Sequence, residues 1–435
     1  MSKIDEMIKK LCPNGVEYKT ISEIFNIKNG YTPSKSNSEF WNNGTIPWFR
    51  MEDIRENGNI LEDSIQHVSK SAIKGCLFPA DSIIVATSAT IGVHALIKVE
   101  SLANQRFTYL MLKDEWKSKF EIKFLFYYCD VLDKWCLNHL NQGNFASVDM
   151  KQFQTFPIPV PPLEVQRETV QVLDSFTMLT AELTAELTAR KKQYEYYRDQ
   201  LLSFNNVRGG LTFANPESVR WMTLGEIATD IYRGSGITRE QVTTSGIPCV
   251  RYGEIYTSYG IHFDKCISHT NLANIASPKY FEHGDILFAI TGESIEDIAK
   301  STAYVGNEKC LAGGDIVVLK HKQNPKYLSY ALSTTDAIKQ KGKGKVKSKV
   351  VHSSVPAISE LKIPVPPIEI QNRIVKVLDN FDSICSDLQI GLPAEIDARK
   401  KQYEYYRDLL LSFEPIGTVL AKQASKQASK QASKQ

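Results

Sequence analysis

Two blocks of this chain occur twice, in the same order, about half the chain apart. Ile158–Phe176 (IPVPPLEVQRETVQVLDSF) returns as Ile363–Phe381 (IPVPPIEIQNRIVKVLDNF), with 12 of 19 positions identical. Arg190–Phe204 (RKKQYEYYRDQLLSF) returns as Arg399–Phe413 (RKKQYEYYRDLLLSF), with 14 of 15 identical. Segments this alike fold alike, so the chain reads as two half-molecules joined head to tail. A pseudo-two-fold protein of this kind is suited to meeting something that itself has two halves.

The segments ahead of each block are unlike, yet they echo. Val16–Ile24 (VEYKTISEI) resembles Val219–Ile227 (VRWMTLGEI), Ile46–Arg50 (IPWFR) resembles Ile247–Arg251 (IPCVR), and Asp81–Ile84 resembles Asp285–Phe288. Short β-rich runs at Ser82–Ala86, Ile286–Ile290 and Ile316–Leu319 are bounded by Gly, Pro or Asp and read as strands. Phe120, Phe124, Tyr127, Val131 and Trp135 recur at helical spacing within Lys119–Leu140. The expectation is a mixed α/β fold with two α/β domains, residues 1–157 and 205–362, of similar backbone and different surface.

The repeated segments are of another kind. Pro159, Pro161 and Pro162 set a stiff extended entry. Leu173, Phe176, Thr180, Leu183, Leu187, Arg190, Tyr194, Tyr197, Leu201 and Phe204 then alternate at three and four, a heptad seam. A helix from Leu163 to Phe204 is roughly 60 Å long at 1.5 Å per residue. The second copy repeats the seam but carries 17 residues between its blocks against 13, with Gly391-Leu392-Pro393 among them. Pro393 is expected to break that helix and restart it. Residues 158–204 and 363–413 are thus two repeated helical regions, whose apolar stripes call for a partner, most cheaply each other in an antiparallel coiled coil. The first contains a tandem tetrapeptide, TAEL at Thr180–Leu183 and again at Thr184–Leu187. Residues 414–435 end in repeated KQAS, with no apolar face, and read as a disordered tail.

Catalytic signatures are missing. There is no GxxxxGK[ST] loop, no HExxH, no GxSxG elbow and no glycine-rich loop suited to S-adenosylmethionine. The eight cysteines have no CxxC spacing, which argues against a zinc ribbon or a disulfide framework and fits buried thiols in a reducing, cytoplasmic setting. The start lacks an apolar signal segment, and no run is long enough to span a membrane. The net charge of +3 is too small to argue for nucleic acid by itself.

Local features say more. Lys339–Lys349 (KQKGKGKVKSK) places six lysines at every second position. In an extended strand all six, Lys339, Lys341, Lys343, Lys345, Lys347 and Lys349, share one face and could meet consecutive phosphates. Polar residues on loops are candidates to read base edges. In the first variable region these are Tyr31, Thr32, Trp48, Arg50, Ser88, Thr90, Asn104, Gln105, Arg106, Asn141, Gln142, Asn144 and Ser147. In the second they are Thr238, Arg251, Tyr252, Thr291 and Glu293.

The paired IPVPP and QYEYYRD blocks, each following a variable domain, resemble the specificity subunit of type I restriction-modification enzymes, over residues 1–413. The TAEL tandem resembles one branch of that family. The resemblance implies two target-recognition domains, each reading one half of a split double-stranded DNA site. It implies that the helices set the gap between the half-sites and dock two modification subunits, with two restriction subunits completing the assembly. No cofactor is expected on this chain; S-adenosylmethionine, ATP and Mg2+ belong to the partners, and no membrane is involved. Tyr194, Tyr197, Leu201, Tyr403, Tyr406 and Leu410 are the expected coiled-coil and docking residues. The competing expectation is a coiled-coil adaptor whose variable domains bind protein or RNA.

Overall fold

The computed structural model describes residues 3–141, 146–204, 218–275, 277–343, 350–386 and 391–419. The chain forms two compact units, and the division falls inside the helices. One unit holds residues up to Glu182 together with those from Asp397 onward, and the other holds Leu183–Ile396. Each unit therefore owns one variable domain, the IPVPP block that follows it, and one QYEYYRD block.

In the first unit, Glu17–Thr20 pairs antiparallel with Pro157–Val160, the proline-rich entry, in register Glu17 to Val160. In the second unit Arg220–Thr223 pairs in the same way with Lys362–Val365. A capping box follows each first strand. Thr20 and Thr223 accept from the amides of Glu23 and Glu226 at 3.3 Å, and each glutamate accepts from its threonine's amide at 2.7 Å. This reciprocal satisfaction of helix-start amides is what the echo of TISEI and TLGEI encodes.

Each domain is built on a five-stranded sheet. In the first unit the order is Phe25–Asn29, Phe107–Leu112, Ser82–Ala86, His94–Ile97, Ile60–Leu61. In the second it is Ala228–Arg233, Ile316–His321, Ile286–Ala289, Ser301–Tyr304, His262–Phe263. Ser82–Ala86 and Ile286–Ala289 are buried along their whole length, which explains why they read as unbroken apolar runs. A second sheet centres on Ile46–Phe49 in one unit, with three strands, and on Ile247–Val250 in the other, with five short ones. The expected helix forms as Ile122–Asn138, and Phe124, Tyr127 and Cys136 on it enter the core. Cys129, Cys249, Cys310 and Cys385 are also buried free thiols, whereas Cys76 is exposed.

The conserved segments behave as the spacing suggests. Leu163–Ser203 is one helix of 41 residues. The second copy is split into Ile368–Ser386 and Leu392–Leu410, with Pro393 in the first turn of the restart. Within the second unit the helices run antiparallel: Tyr194 lies near Asp382 and Cys385, and Tyr197 stacks on Phe381 at 6.2 Å. Within the first unit Phe176 stacks on Tyr406 at 5.5 Å. The expected seam is thinner in its middle. Leu183 and Leu187 are only half-buried and Arg190 is exposed, so the TAEL tandem lies on the least enclosed stretch of the helix. Among the described residues no helix is long and apolar enough to cross a membrane.

Much of the near-identity of the blocks is explained by their grip on the domains. Gln166 is fully buried; its Oε1 accepts from the Glu121 amide at 2.9 Å, and its Nε2 donates to the carbonyls of Lys119 (2.9 Å) and Pro161 (2.7 Å). Gln371, equally buried, accepts from the Asn324 amide at 3.0 Å and donates to Pro366 O and Gln323 Oε1, both at 2.8 Å. One helical stretch further on, Asp174 accepts from Lys123 Nζ (2.8 Å) and Tyr127 OH (2.6 Å). Asp379 accepts from Lys326 Nζ (2.9 Å) and Tyr330 OH (2.8 Å). The second block grips too: Asp408 accepts from Lys134 Nζ at 2.7 Å, and Asp199 from the Thr335 amide at 3.1 Å.

Candidate nucleic-acid interface

Five backbone hydrogen bonds build the same rim of loops in each unit. In the first, Gly30 N donates to Phe107 O (2.9 Å), Tyr31 N to Ala103 O (2.8 Å), Asn104 N to Phe49 O (3.0 Å), Thr87 N to Arg106 O (3.0 Å) and Val148 N to Thr87 O (2.9 Å). In the second, Gly234 N donates to Ile316 O (2.8 Å), Ser235 N to Ala312 O (2.8 Å), Gly313 N to Val250 O (2.8 Å), Ile290 N to Asp315 O (3.0 Å) and Ser353 N to Ile290 O (2.8 Å). Gly30 and Gly234 have to be glycine, because a Cβ on either would run into the carbonyls of Ala103 and Asn104 or of Ala312 and Gly313.

On this common backbone the side chains differ. The first rim carries Thr32, Arg50, Ser88, Asn104, Gln105, Arg106 and Ser147. Thr32 Oγ1 donates to Gln105 Oε1, and Asn104 Oδ1 accepts from the Arg106 amide at 3.0 Å. Ser88 and Ser147 are bridged backbone to backbone, and the Thr90 amide donates to Ser88 O at 3.0 Å. Asn141 is bound into the same loop through Ser147 O at 2.8 Å. Arg106 is exposed and makes no ion pair among the described residues. Gln142 and Asn144 lie outside the described residues.

The second rim borders an open cleft of about 870 Å³, lined by Arg233, Gly236, Thr238, Arg239, Arg251, Tyr252, Gly313, Gly314 and Asp315 among others. Glycines stand where the first unit has Asn104 and Gln105, which opens the floor. Tyr252 is exposed beside Arg251, and Arg233 is tied to Asp315 at 2.5 Å. Thr291 occupies the place of Ser88 but is nearly buried, with its Oγ1 3.2 Å from His352 Nδ1. Glu293 is exposed. Among the described residues no cluster of His, Cys, Asp and Glu could hold a metal ion.

Three expectations change. Trp48 is buried, with its Nε1 donating to Tyr31 O at 3.0 Å and its ring edge-on to Trp41 at 5.0 Å, so it is a core residue that supports the rim. Tyr31 spends its hydroxyl internally, donating to Ala72 O at 3.2 Å and accepting from the Lys74 amide at 2.8 Å. The lysine run does not begin as an extended strand. Thr334 caps a helix, Thr335–Gly342, that takes up Lys339 and Lys341, and only Lys343 stands exposed after it. Lys345, Lys347 and Lys349 lie outside the described residues.

Lys341 is 7% exposed and faces the core, donating to Leu332 O (2.8 Å) and Ser301 Oγ (3.3 Å) with no carboxylate partner. Burial pushes its ammonium from 10.5 down to about 7. Between those values the unfolded chain holds a proton that folded Lys341 has released, so stability rises with pH across that window. Below it the full cost of the buried charge remains. Lys341→Met is therefore expected to stabilise the second unit at pH 7 by about 1–3 kcal/mol, after the loss of its two hydrogen bonds. Thermal melts at pH 7 and 9.5 check this: the gain should shrink at the higher pH, and an equal gain at both would refute it.

The expected docking residues divide by burial. Tyr194, Leu201 and Leu410 are buried and Tyr403 half-buried, whereas Tyr197 and Tyr406 lie at the margin against Phe381 and Phe176. Beside them, and missed by the seam argument, Tyr196 and Tyr405 stand 61% and 67% exposed. Each makes an edge-on pair with its neighbour, Tyr196 with Tyr197 at 5.5 Å and Tyr405 with Tyr406 at 5.4 Å.

A family model described as the type I restriction modification DNA specificity domain matches residues 13–190 and again 216–398. The specificity subunit of the Escherichia coli type I restriction enzyme EcoprrI is 53% identical over 216 residues, 47% of this chain and 54% of that protein, so the match spans about half of that relative. The specificity subunit of Escherichia coli EcoR124I/EcoR124II is 31% identical over 309 residues, covering 68% of this chain and 72% of that one. A putative type I specificity subunit of Haemophilus influenzae is 26% identical over 420 residues, 92% and 96% of the two chains. A solved chain from work on complex assembly and conformational transition of the type I R-M system has the same fold, with a TM-score of 0.62 at 17% identity over 91% of this chain and 97% of that one. With a repeated backbone frame, unlike rims and a family match in each half, the chain belongs to the type I restriction-modification DNA specificity family.

Proposed function

We propose that each unit reads one half of a bipartite duplex-DNA site through its rim, and that the chain itself performs no chemistry. The readers are residues 1–157 and 205–362, acting in the cytoplasm. The observation that supports this most is the shared set of five backbone bonds carrying different side chains. Arg, Asn, Gln, Thr and Ser on such loops are the groups that address base edges and phosphates. The helices carry two modification subunits, which bring S-adenosylmethionine, and two restriction subunits supply ATP- and Mg2+-dependent action. The adaptor reading, for protein or RNA, gains no specific support from the rims.

The test is methylation mapping of the chain assembled with its modification subunit on random duplex DNA. The expected result is a split motif in which both halves are needed, with affinity that falls steeply as salt rises. Methylation governed by one half alone would overturn the reading.

The exposed tyrosines are the proposed docking points. Tyr196→Ala and Tyr405→Ala should each leave helix content unchanged and weaken one of two modification-subunit sites, by roughly 2 kcal/mol for a buried interface aromatic. Titration by analytical ultracentrifugation reads the loss, and unchanged assembly in the double variant would place docking elsewhere.

A further inference from the structure

Arg50 and Arg251, at equivalent places on the two rims, are held by one device built in two sizes. Each follows a strand of the second sheet, Ile46–Phe49 or Ile247–Val250, and caps a short helix. Three residues on, a buried carboxylate turns back: Asp53, 0% exposed, and Glu254, 5% exposed. Arg50 N donates to Asp53 Oδ2 at 2.6 Å, and Arg251 N donates to Glu254 Oε2 at 3.1 Å. The second oxygen takes a donor from the segment that follows. For Asp53 it is the Ile65 amide at 2.6 Å, and for Glu254 it is Ser268 Oγ at 2.8 Å. A buried carboxylate satisfied in this way fixes the loop it closes, because breaking any one bond strands a charge.

One methylene separates the two versions, and it decides what happens to the guanidinium. Glu254 Oε1 also accepts from Arg251 Nε, at 3.1 Å. Asp53 makes no such bond. Arg50 Nε is buried with no hydrogen-bond partner, and its ion-pair neighbour Glu52 stands 3.9 Å away. A charge-assisted bond to Nε holds the arginine plane and leaves the two Nη groups pointing onward as a fixed pair of donors. That pair matches O6 and N7 of guanine, the commonest specific contact in the major groove. Arg251 borders the glycine-floored cleft, where a base edge can approach.

Resting on the reading of this rim as a DNA reader, we propose that Glu254 is a positioning residue that locks Arg251 onto a guanine in the second half-site. Arg50 lacks this tether and has only the Trp48 ring, 5.7 Å from its guanidinium, and Glu52 beside it, so it is aimed less firmly at the first half-site. The two halves thus read through equivalent arginines with different stringency.

Glu254→Asp tests this, because Asp53 shows that an aspartate at this place still closes the loop. The variant is assembled with its modification subunit, and methylation is scored base by base on a library randomised in both half-sites. The expected result is about a tenfold loss of preference for guanine at one position of the second half-site. Every other position, and the first half-site, should keep its profile. Glu254→Gln, which keeps the side-chain length but weakens the tether, should relax the same position by less. An unchanged profile, or a uniform fall at every sequence, overturns the proposal and leaves Glu254 a purely structural group. If Arg251→Ala leaves the second half-site intact, it is the reading of DNA by this rim that fails.

Discussion

A third TAEL inserted after Leu187 is expected to move the methylated site, not to abolish it. The new site should keep both half-sites and carry one more unread base pair between them, and the original site should lose its methylation. Thr180–Leu187 straddles the point, between Glu182 and Leu183, at which the long helix passes from one compact unit to the other. Its side chains are exposed or half-buried, so four more residues disturb little packing. Four helical residues add about 6 Å and turn the far end by roughly 40° beyond a full circle. One base-pair step advances roughly 3.4 Å and turns about 35°. The rotations nearly match, and four residues form a stutter that the apolar stripe tolerates with local unwinding. Three inserted residues are the control. They turn the helix end by about 300°, out of phase with any single step, and should abolish methylation at all spacings. Methylome sequencing reads the gap directly, and an unchanged gap in the TAEL variant would sink the idea.

How much of this was legible in the sequence depends on whether the signal was periodic or three-dimensional. The doubled architecture, the strand Ser82–Ala86, the helix Ile122–Asn138 and the break at Gly391–Pro393 all follow from local pattern, and all are present. The period-two lysine run matches a strand in the sequence, whereas the Thr334 cap and the buried face of Thr335–Gly342 commit its first lysines to a helix. Trp48 was counted among the loop residues, whereas its place in a strand between two others buries it. Arg50 and Arg251 were found because they recur after IPWF and IPCV. Gly313 and Gly314 were not, since glycine leaves no chemical signal and their role is to stand where Asn104 and Gln105 stand in the other unit. Gln166, Gln371, Asp174 and Asp379 were in plain view as identities within the repeats. Most of their partners lie on the unlike domains, so the sequence could not say what they grip.

Gln371→Leu should loosen the second unit and spare the first, and Gln166→Leu should do the reverse. Leucine fills a similar volume, so the effect comes from polar groups left behind. In the second unit these are the Asn324 amide, Gln323 Oε1 and the Pro366 carbonyl. In the first they are the Glu121 amide and the carbonyls of Lys119 and Pro161. Each stranded buried group costs about 1–3 kcal/mol, partly recovered where water can enter, so a loss of about 3 kcal/mol is expected. For a unit of this size that lowers its midpoint by roughly 6–12 °C. Hydrogen exchange resolved by peptide separates the units. In Gln371→Leu, protection should fall in Ile286–Ala289 and Ile316–His321 while Ser82–Ala86 and Phe107–Leu112 keep theirs. Asp379→Asn provides a graded companion, since it weakens the grip on Lys326 and Tyr330 without emptying a buried site. Equal loosening of both units by Gln371→Leu would mean that the repeated blocks serve the whole molecule and not the domain each one grips.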